Sequence, residues 1–315
     1  MARFILSRLL QAIPVLLLAS ILVFSLIRFI PGDPVYAILG ENARPAEIEA
    51  MRAKMGLDKP IIVQYFIWLG QVLRGDLGAS QINKFPVNEL LWIKAKASFE
   101  LAVAAMFVAA LLALPIGILS AVNRGGTFDR VLTAVSSVFY AIPTFWLGIL
   151  LVTFVALRWG LVPPSGRVDP SDDFFLFLKL LILPAITLGI PTAAVLSRFL
   201  KTSLLEVMNQ DYVRTARAKG LAERMVVARH SMRNALIPVV TVFALQFGAF
   251  LGGAVVTESI FDWPGLGTMA LQGILKRDYP MVQGAILFVV IVFILMNLLA
   301  DLSYGFLDPR IRYED

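Results

Sequence analysis

The 315-residue chain has no cysteine and a single histidine, His230. Disulfides, iron–sulfur clusters and thiolate metal sites are thereby excluded, and one imidazole without partner ligands cannot make a zinc site. Charge is also scarce. Charged residues make up 16% of the chain and hydrophobic ones 58%, whereas a soluble domain carries about a quarter charged residues. No Gly-x-x-x-x-Gly-Lys-Ser/Thr phosphate loop is present, nor a His-Glu-x-x-His or Gly-x-Ser-x-Gly motif. The composition is that of a membrane chain without a catalytic constellation. If ATP drives it, another subunit binds the ATP.

What is present is a series of apolar runs, each near the roughly twenty residues a helix needs to cross about 30 Å of hydrocarbon. Six are expected as spans, at about Leu9–Phe29, Leu101–Val122, Val131–Leu157, Lys179–Leu200, Leu236–Thr257 and Met281–Tyr304. The first follows Arg3 and Arg8 like a secretory signal, but its uncharged core is too long and no small-residue cleavage pattern follows, so it reads as an uncleaved span. Lysines and arginines in the short loops divide roughly fourteen to five when both termini are placed in the cytoplasm. Topology thus accounts for the net charge of +6, and no basic face on a soluble module points to nucleic acid. Pro115, Pro143, Pro184 and Pro191 are expected to kink spans. The Gly248 and Gly252 pair allows close helix packing and is a weaker sign of a dimer face.

The segment after the first span is too polar to cross a membrane and too patterned for a linker. Pro45 can open a helix that Gly56 ends, and a second short helix is expected from Pro60 toward Leu73, with Tyr65 and Trp68 on its apolar face. Arg74-Gly75-Asp76-Leu77-Gly78 then turns the chain. Ionisable residues are nearly absent from the span interiors, which weighs against a proton- or sodium-coupled secondary carrier. Glu258, Asn297 and Asp301 are candidates for the polar parts of a pathway or for pairing with a second permease. Glu258 and Asp301, like Glu100 and Arg198, are also open to a simpler reading as interfacial or helix-end charges.

Between the fourth and fifth spans lies a basic segment, Asp211-Tyr212-Val213-Arg214-Thr215-Ala216-Arg217-Ala218-Lys219-Gly220-Leu221, followed by Arg229-His230-Ser231-Met232-Arg233-Asn234-Ala235-Leu236-Ile237-Pro238. The segment resembles the loop by which permeases of binding-protein-dependent ABC importers hold their ATPase, in the form of the dipeptide/oligopeptide/nickel branch, permease B type. Of the general family pattern, Glu-Ala-Ala with a glycine four residues on, only Ala216 and Gly220 hold. The match is to the peptide and nickel version. Further resemblance lies in Pro31-Gly32-Asp33-Pro34, Gly56-Leu57-Asp58-Lys59-Pro60, Thr257-Glu258-Ser259-Ile260-Phe261-Asp262-Trp263-Pro264-Gly265-Leu266-Gly267, Arg277-Asp278-Tyr279-Pro280 and Pro309-Arg310-Ile311-Arg312, so it extends over the whole chain.

The resemblance implies an all-α integral membrane protein of the bacterial plasma (inner) membrane, with both termini cytoplasmic. Its parts would be a first transmembrane helix (1–30), an extracytoplasmic segment with short amphipathic helices (31–97), a core of helices 2–6 (98–304) with a coupling loop (201–235), and a cytoplasmic tail (305–315). The implied partners are a second homologous permease, two cytoplasmic ATPases that carry ATP and Mg, and an external binding protein docking on the 31–97 segment. No cofactor or metal is implied in this chain. The coupling residues carried over are Tyr212, Arg214, Thr215, Ala216, Arg217, Ala218, Lys219, Gly220, Leu221, Arg233 and Asn234. Ala216, Ala218 and Leu221 are expected to seat in a groove of the ATPase, and Arg214, Arg217 and Lys219 to pair with its acidic groups or with anionic lipid. The implied cargo is a peptide, with nickel chelates and glutathione as alternatives within the same family.

Overall fold

A computed structural model describes residues 2–29, 34–40, 42–252 and 254–307. Pro31-Gly32-Asp33 and the Pro309–Arg312 motif lie outside the described residues. The described chain is helical, relieved by one isolated bridge between Ala79 and Pro86. The helices are α1 Ala2–Phe29, α2 Pro34–Leu39, α3 Pro45–Lys54, α4 Ile61–Leu73, α5 Val87–Val122, α6 Thr127–Ala141, α7 Thr144–Leu151, α8 Phe174–Met208, α9 Asp211–Ala218, α10 Glu223–Met225, α11 Met232–Leu251, α12 Val255–Ile260, α13 Leu266–Lys276 and α14 Tyr279–Leu307. π-helical turns extend α7 over Val152–Arg158 and join α10 to α11 over Val226–Ser231.

Helices α5 and α8 form the spine, each about 50 Å long at 1.5 Å per residue. Their contact face is built from small residues, because apolar burial alone gives helices in lipid little reason to associate and close van der Waals packing must do it. Ala105, Ala109, Ala113 and Gly117 of α5 are buried. A Cβ added at Gly189 of α8 would stand 2.7 Å from Val108 and 2.8 Å from the Ala105 carbonyl, and one at Gly117 would stand 2.9 Å from Leu200. Asp173 caps α8, accepting the Leu176 N–H at 2.9 Å. The two helices run parallel. Ala97 and Leu101 meet Phe177 and Leu181 at one end, here called upper, while Ala113 and Ala121 share a cluster with Leu200 and Leu204 at the lower end.

Among the described residues, four segments are long and apolar enough to cross a membrane: Val87–Val122, Phe174–Met208, Glu223–Leu251 and Tyr279–Ala300. The third expected span is not straight. Pro143 cannot donate into the helix and holds Ile142 extended, so α6 and α7 meet at 94°. Counted together they make a fifth span. α1 supplies a shorter apolar stretch, Leu10–Ser25, so the described structure establishes four or five crossing elements plus α1 rather than six equal spans. The fifth expected span stops at Leu251, before the glycine-containing stretch that separates it from α12, and leaves Thr257 in that short helix. The Gly248 and Gly252 face packs within the chain against Phe293, Met296 and Val289 of α14.

At the upper end α3 ends at Gly56, whose φ of +66° suits glycine. α4 lies on α1 through Phe24, whose ring centroid is 5.3 Å from Tyr65 and 5.6 Å from Trp68, and through the Ser20 and Tyr65 hydroxyls at 2.9 Å. Gly75 and Gly78, both at positive φ, turn the chain into α5. Buried Asp278 joins this segment to α14, accepting from Ser80 Oγ and, at 3.2 Å, from the Gln81 N–H.

Candidate functional site

The lower end is completed by α9. An eight-residue helix is too short to stand alone in water, so it is held by what it buries. Val213 and Ala216, three residues apart on one face, pack with Val226, Val207 and Leu221. Gly220, at φ +79°, closes the helix in a Schellman turn: its N–H reaches the Arg217 carbonyl at 2.9 Å, and the Leu221 N–H reaches that of Ala216 at 3.4 Å. Arg217 then ties both flanks. Its guanidinium donates twice to Glu223, at 3.0 and 2.6 Å, and once to the Met208 carbonyl at 3.2 Å. These bonds hold the Arg217 pKa above its already high value.

This arrangement corrects one expectation. Ala216 is 6% exposed and Leu221 packs on the same cluster, so both seat in the chain's own core rather than in a partner's groove. The physical reason is that α9 has one apolar stripe, and attachment to the bundle uses it. What faces outward is Tyr212, Arg214, Thr215, Ala218 and Lys219. Asn234, exposed with Arg233 on the first turn of α11, donates to the Tyr212 hydroxyl at 2.8 Å. Residues 22 positions apart thereby form one surface. Arg214 has only an exposed contact with Asp211 at 3.5 Å, which leaves its charge available.

The upper end is organised around Glu258, which is fully buried. Ser98 Oγ donates to its Oε1 at 2.8 Å and the Thr268 N–H to its Oε2 at 2.8 Å, while the Leu266 N–H donates to Ser98 Oγ at 2.8 Å. Together these satisfy the free N–H groups at the start of α13, whose own N-cap, Gly265, has no side chain with which to do so. The glycines are needed for approach. A Cβ at Gly265 would lie 2.0 Å from Glu258 Oε1, and one at Gly267 would lie 3.0 Å from Oε2. Trp263, also fully buried, donates its Nε1–H to the Ala97 carbonyl at 2.7 Å.

Around this knot the loop before α8 is clamped to α5. Arg167 makes two bonds to Glu100, at 2.8 and 2.9 Å, and lies 5.9 Å from the centre of the Trp263 ring. Lys96 reaches Asp169 at 2.7 Å. Its hydrogen bond, with those from Ser171, holds the Asp169 carboxyl well below the usual range, so this clamp persists at neutral pH and is lost only as strong acid protonates it.

Glu258 and Asn297 are not brought together. Asn297 lines a cavity of ≈250 Å³ with Arg8 and Gln11 of α1. Asp301 lies in α14, but its side chain is outside the described residues. Ser98 was not singled out from sequence, and Asp278 and Trp263 entered only as parts of longer motifs. Their bonds join positions 160 to 198 residues apart, and no local pattern carries that signal.

Comparison with known proteins defines the class. Residues 113–313 match the model of the binding-protein-dependent transport system inner membrane component, and residues 1–87 match the N-terminal component of the same systems. The chain folds like the inward-facing MetNI methionine ABC transporter, with a TM-score of 0.58 over 70% of this chain and 96% of that one, at 18% identity.

The chain belongs to the binding-protein-dependent inner-membrane transport components. It is 42% identical to the dipeptide transport system permease protein DppB of Escherichia coli (strain K12) and 41% identical to the glutathione transport system permease protein GsiC of Pectobacterium atrosepticum, each over 100% of both chains. The di/tripeptide transport system permease protein DppB of Pseudomonas aeruginosa is 41% identical over the same full coverage.

Proposed function

We propose that this chain is one of two homologous permeases of an ATP-driven importer of short peptides, a class that includes glutathione. The observation that carries the coupling part of this reading is the α9 surface: an outward basic face on a helix fastened to α8, α10 and the first turn of α11. A displacement applied there is passed to the spine rather than absorbed by a loop. ATP and Mg reside on two partner ATPases, which draw together on binding nucleotide and pull on Tyr212–Asn234. In this reading the chain itself supplies no catalytic or metal-binding residue. In this reading the termini and α9 are cytoplasmic and the upper end faces outward, where the extracytoplasmic segment receives a binding protein. The full-length identity to permeases named for dipeptide, di/tripeptide and glutathione transport supports the cargo class.

The test is reconstitution with a second permease, the ATPases and the binding protein of the same system. Labelled dipeptide is expected to accumulate in proteoliposomes only with ATP and the binding protein present. Uptake that needs neither, or that follows an imposed proton or sodium gradient, would overturn the reading in favour of a secondary carrier.

A further inference from the structure

At the upper end several charges on or beside α5 have partners in the chain: Lys96 has Asp169, Arg167 has Glu100, and the Glu258 carboxyl is occupied by Ser98 and the start of α13. Lys94 and Asp262 differ. Neither makes a hydrogen bond or an ion pair among the described residues, yet both line one cavity of ≈330 Å³ with Glu258, Trp263, Thr268 and Gln272. Lys94 is half-buried and Asp262 exposed where they line this cavity. Asp262 is held at the rim by a left-handed backbone, φ +49°, a conformation that aspartate tolerates better than most residues. The volume is at the small end of the roughly 300–1,000 Å³ usual for small-molecule sites.

An unpaired cation facing an unpaired carboxylate across a gap is complementary to a ligand that carries both signs at its ends. We propose that this cavity holds a short zwitterionic peptide, with its terminal carboxylate on Lys94, its ammonium toward Asp262, and the Gln272 amide beside the peptide bond. This deepens the peptide-import reading and rests on it. Glu258 is not a ligand contact here, because its oxygens are already engaged by α13 and Ser98.

The experiment uses the assembled importer in proteoliposomes, with labelled dialanine as the probe. Wild-type uptake is measured first; its absence would remove the peptide reading and this inference with it. Given wild-type uptake, Lys94→Gln and Asp262→Asn are each expected to lower it about tenfold at subsaturating probe, the scale of a lost charge-assisted hydrogen bond. Subunit co-purification should be unchanged, and Lys94→Arg should retain most of the uptake.

A second measurement separates binding from structure. A photo-crosslinking residue replaces Leu271, an exposed residue of the same cavity, and crosslinking of labelled dialanine is competed by unlabelled dialanine or by its amide. Dialanine alone should compete in the otherwise wild-type importer, and the two should compete equally once Lys94→Gln is added. Wild-type uptake by both charge variants, with crosslinking indifferent to the carboxylate, would overturn the inference while leaving peptide import standing.

Discussion

Two glycines carry the local argument at the residue scale, and for opposite reasons. Gly220 has open space around its missing side chain and is constrained by its φ of +79°, whereas Gly265 is constrained by the Glu258 oxygen 2.0 Å from where a Cβ would stand. Gly265→Ala must therefore displace the carboxylate that caps α13. A loss of about 1–3 kcal/mol is expected, the usual range for overpacking, read as a lower melting temperature of the detergent-solubilised importer. An unchanged melting temperature would show that the cap is dispensable. Gly220→Trp places a bulky ring at the edge of the α9 surface and strains its Schellman turn, outside the membrane core. Normal membrane insertion is expected, with uptake and ATPase co-purification both reduced; wild-type uptake with normal co-purification would remove α9 from the coupling role.

Among elements, the spine and the upper segment make separate predictions. Gly189→Val drives a branched side chain into Val108 and the Ala105 backbone, and a backbone atom cannot rotate away. The α5 and α8 helices should be forced apart at mid-bundle, giving a loss of about 1–3 kcal/mol in a denaturant or thermal assay, whereas Gly70→Ala on α4, with nothing within 4 Å, should leave stability unchanged. Deleting residues 45–76 removes α3 and α4 but spares the spine contacts. The variant is expected to insert and to keep basal ATPase activity with its partners, while losing most of the stimulation by loaded binding protein. Full stimulation would assign α3 and α4 to packing on α1 instead.

For the molecule as a whole, the bundle pairs the fastened basic surface of α9 at one end with a capped and clamped knot at the other, connected by two long parallel helices. Nothing in the sequence cradles nucleotide phosphates. The purified chain, proven free of other subunits, is expected to hydrolyse no ATP in a phosphate-release assay, and turnover clearly above a protein-free blank would refute the division of labour proposed here.

Composition and periodicity alone determined that this is a helical membrane chain. They also located most of its long apolar runs, the helix openings at Pro45 and Pro60, and the glycine that ends α3. These are local properties: chain length against hydrocarbon thickness, a ring that removes a donor, and a backbone angle that favours glycine. Only tertiary structure decided that α6 and α7 turn through 94°, since proline marks a break without specifying its angle. It likewise decided that Ala216 faces inward and that the Gly248 and Gly252 face serves α14. Glu258, legible as a charge at a span end, became a helix cap because Ser98, some 160 positions away, lies beside it. Which face of a helix is buried, and which charge finds a partner, depends on what other segments bring to it, and that information is not local.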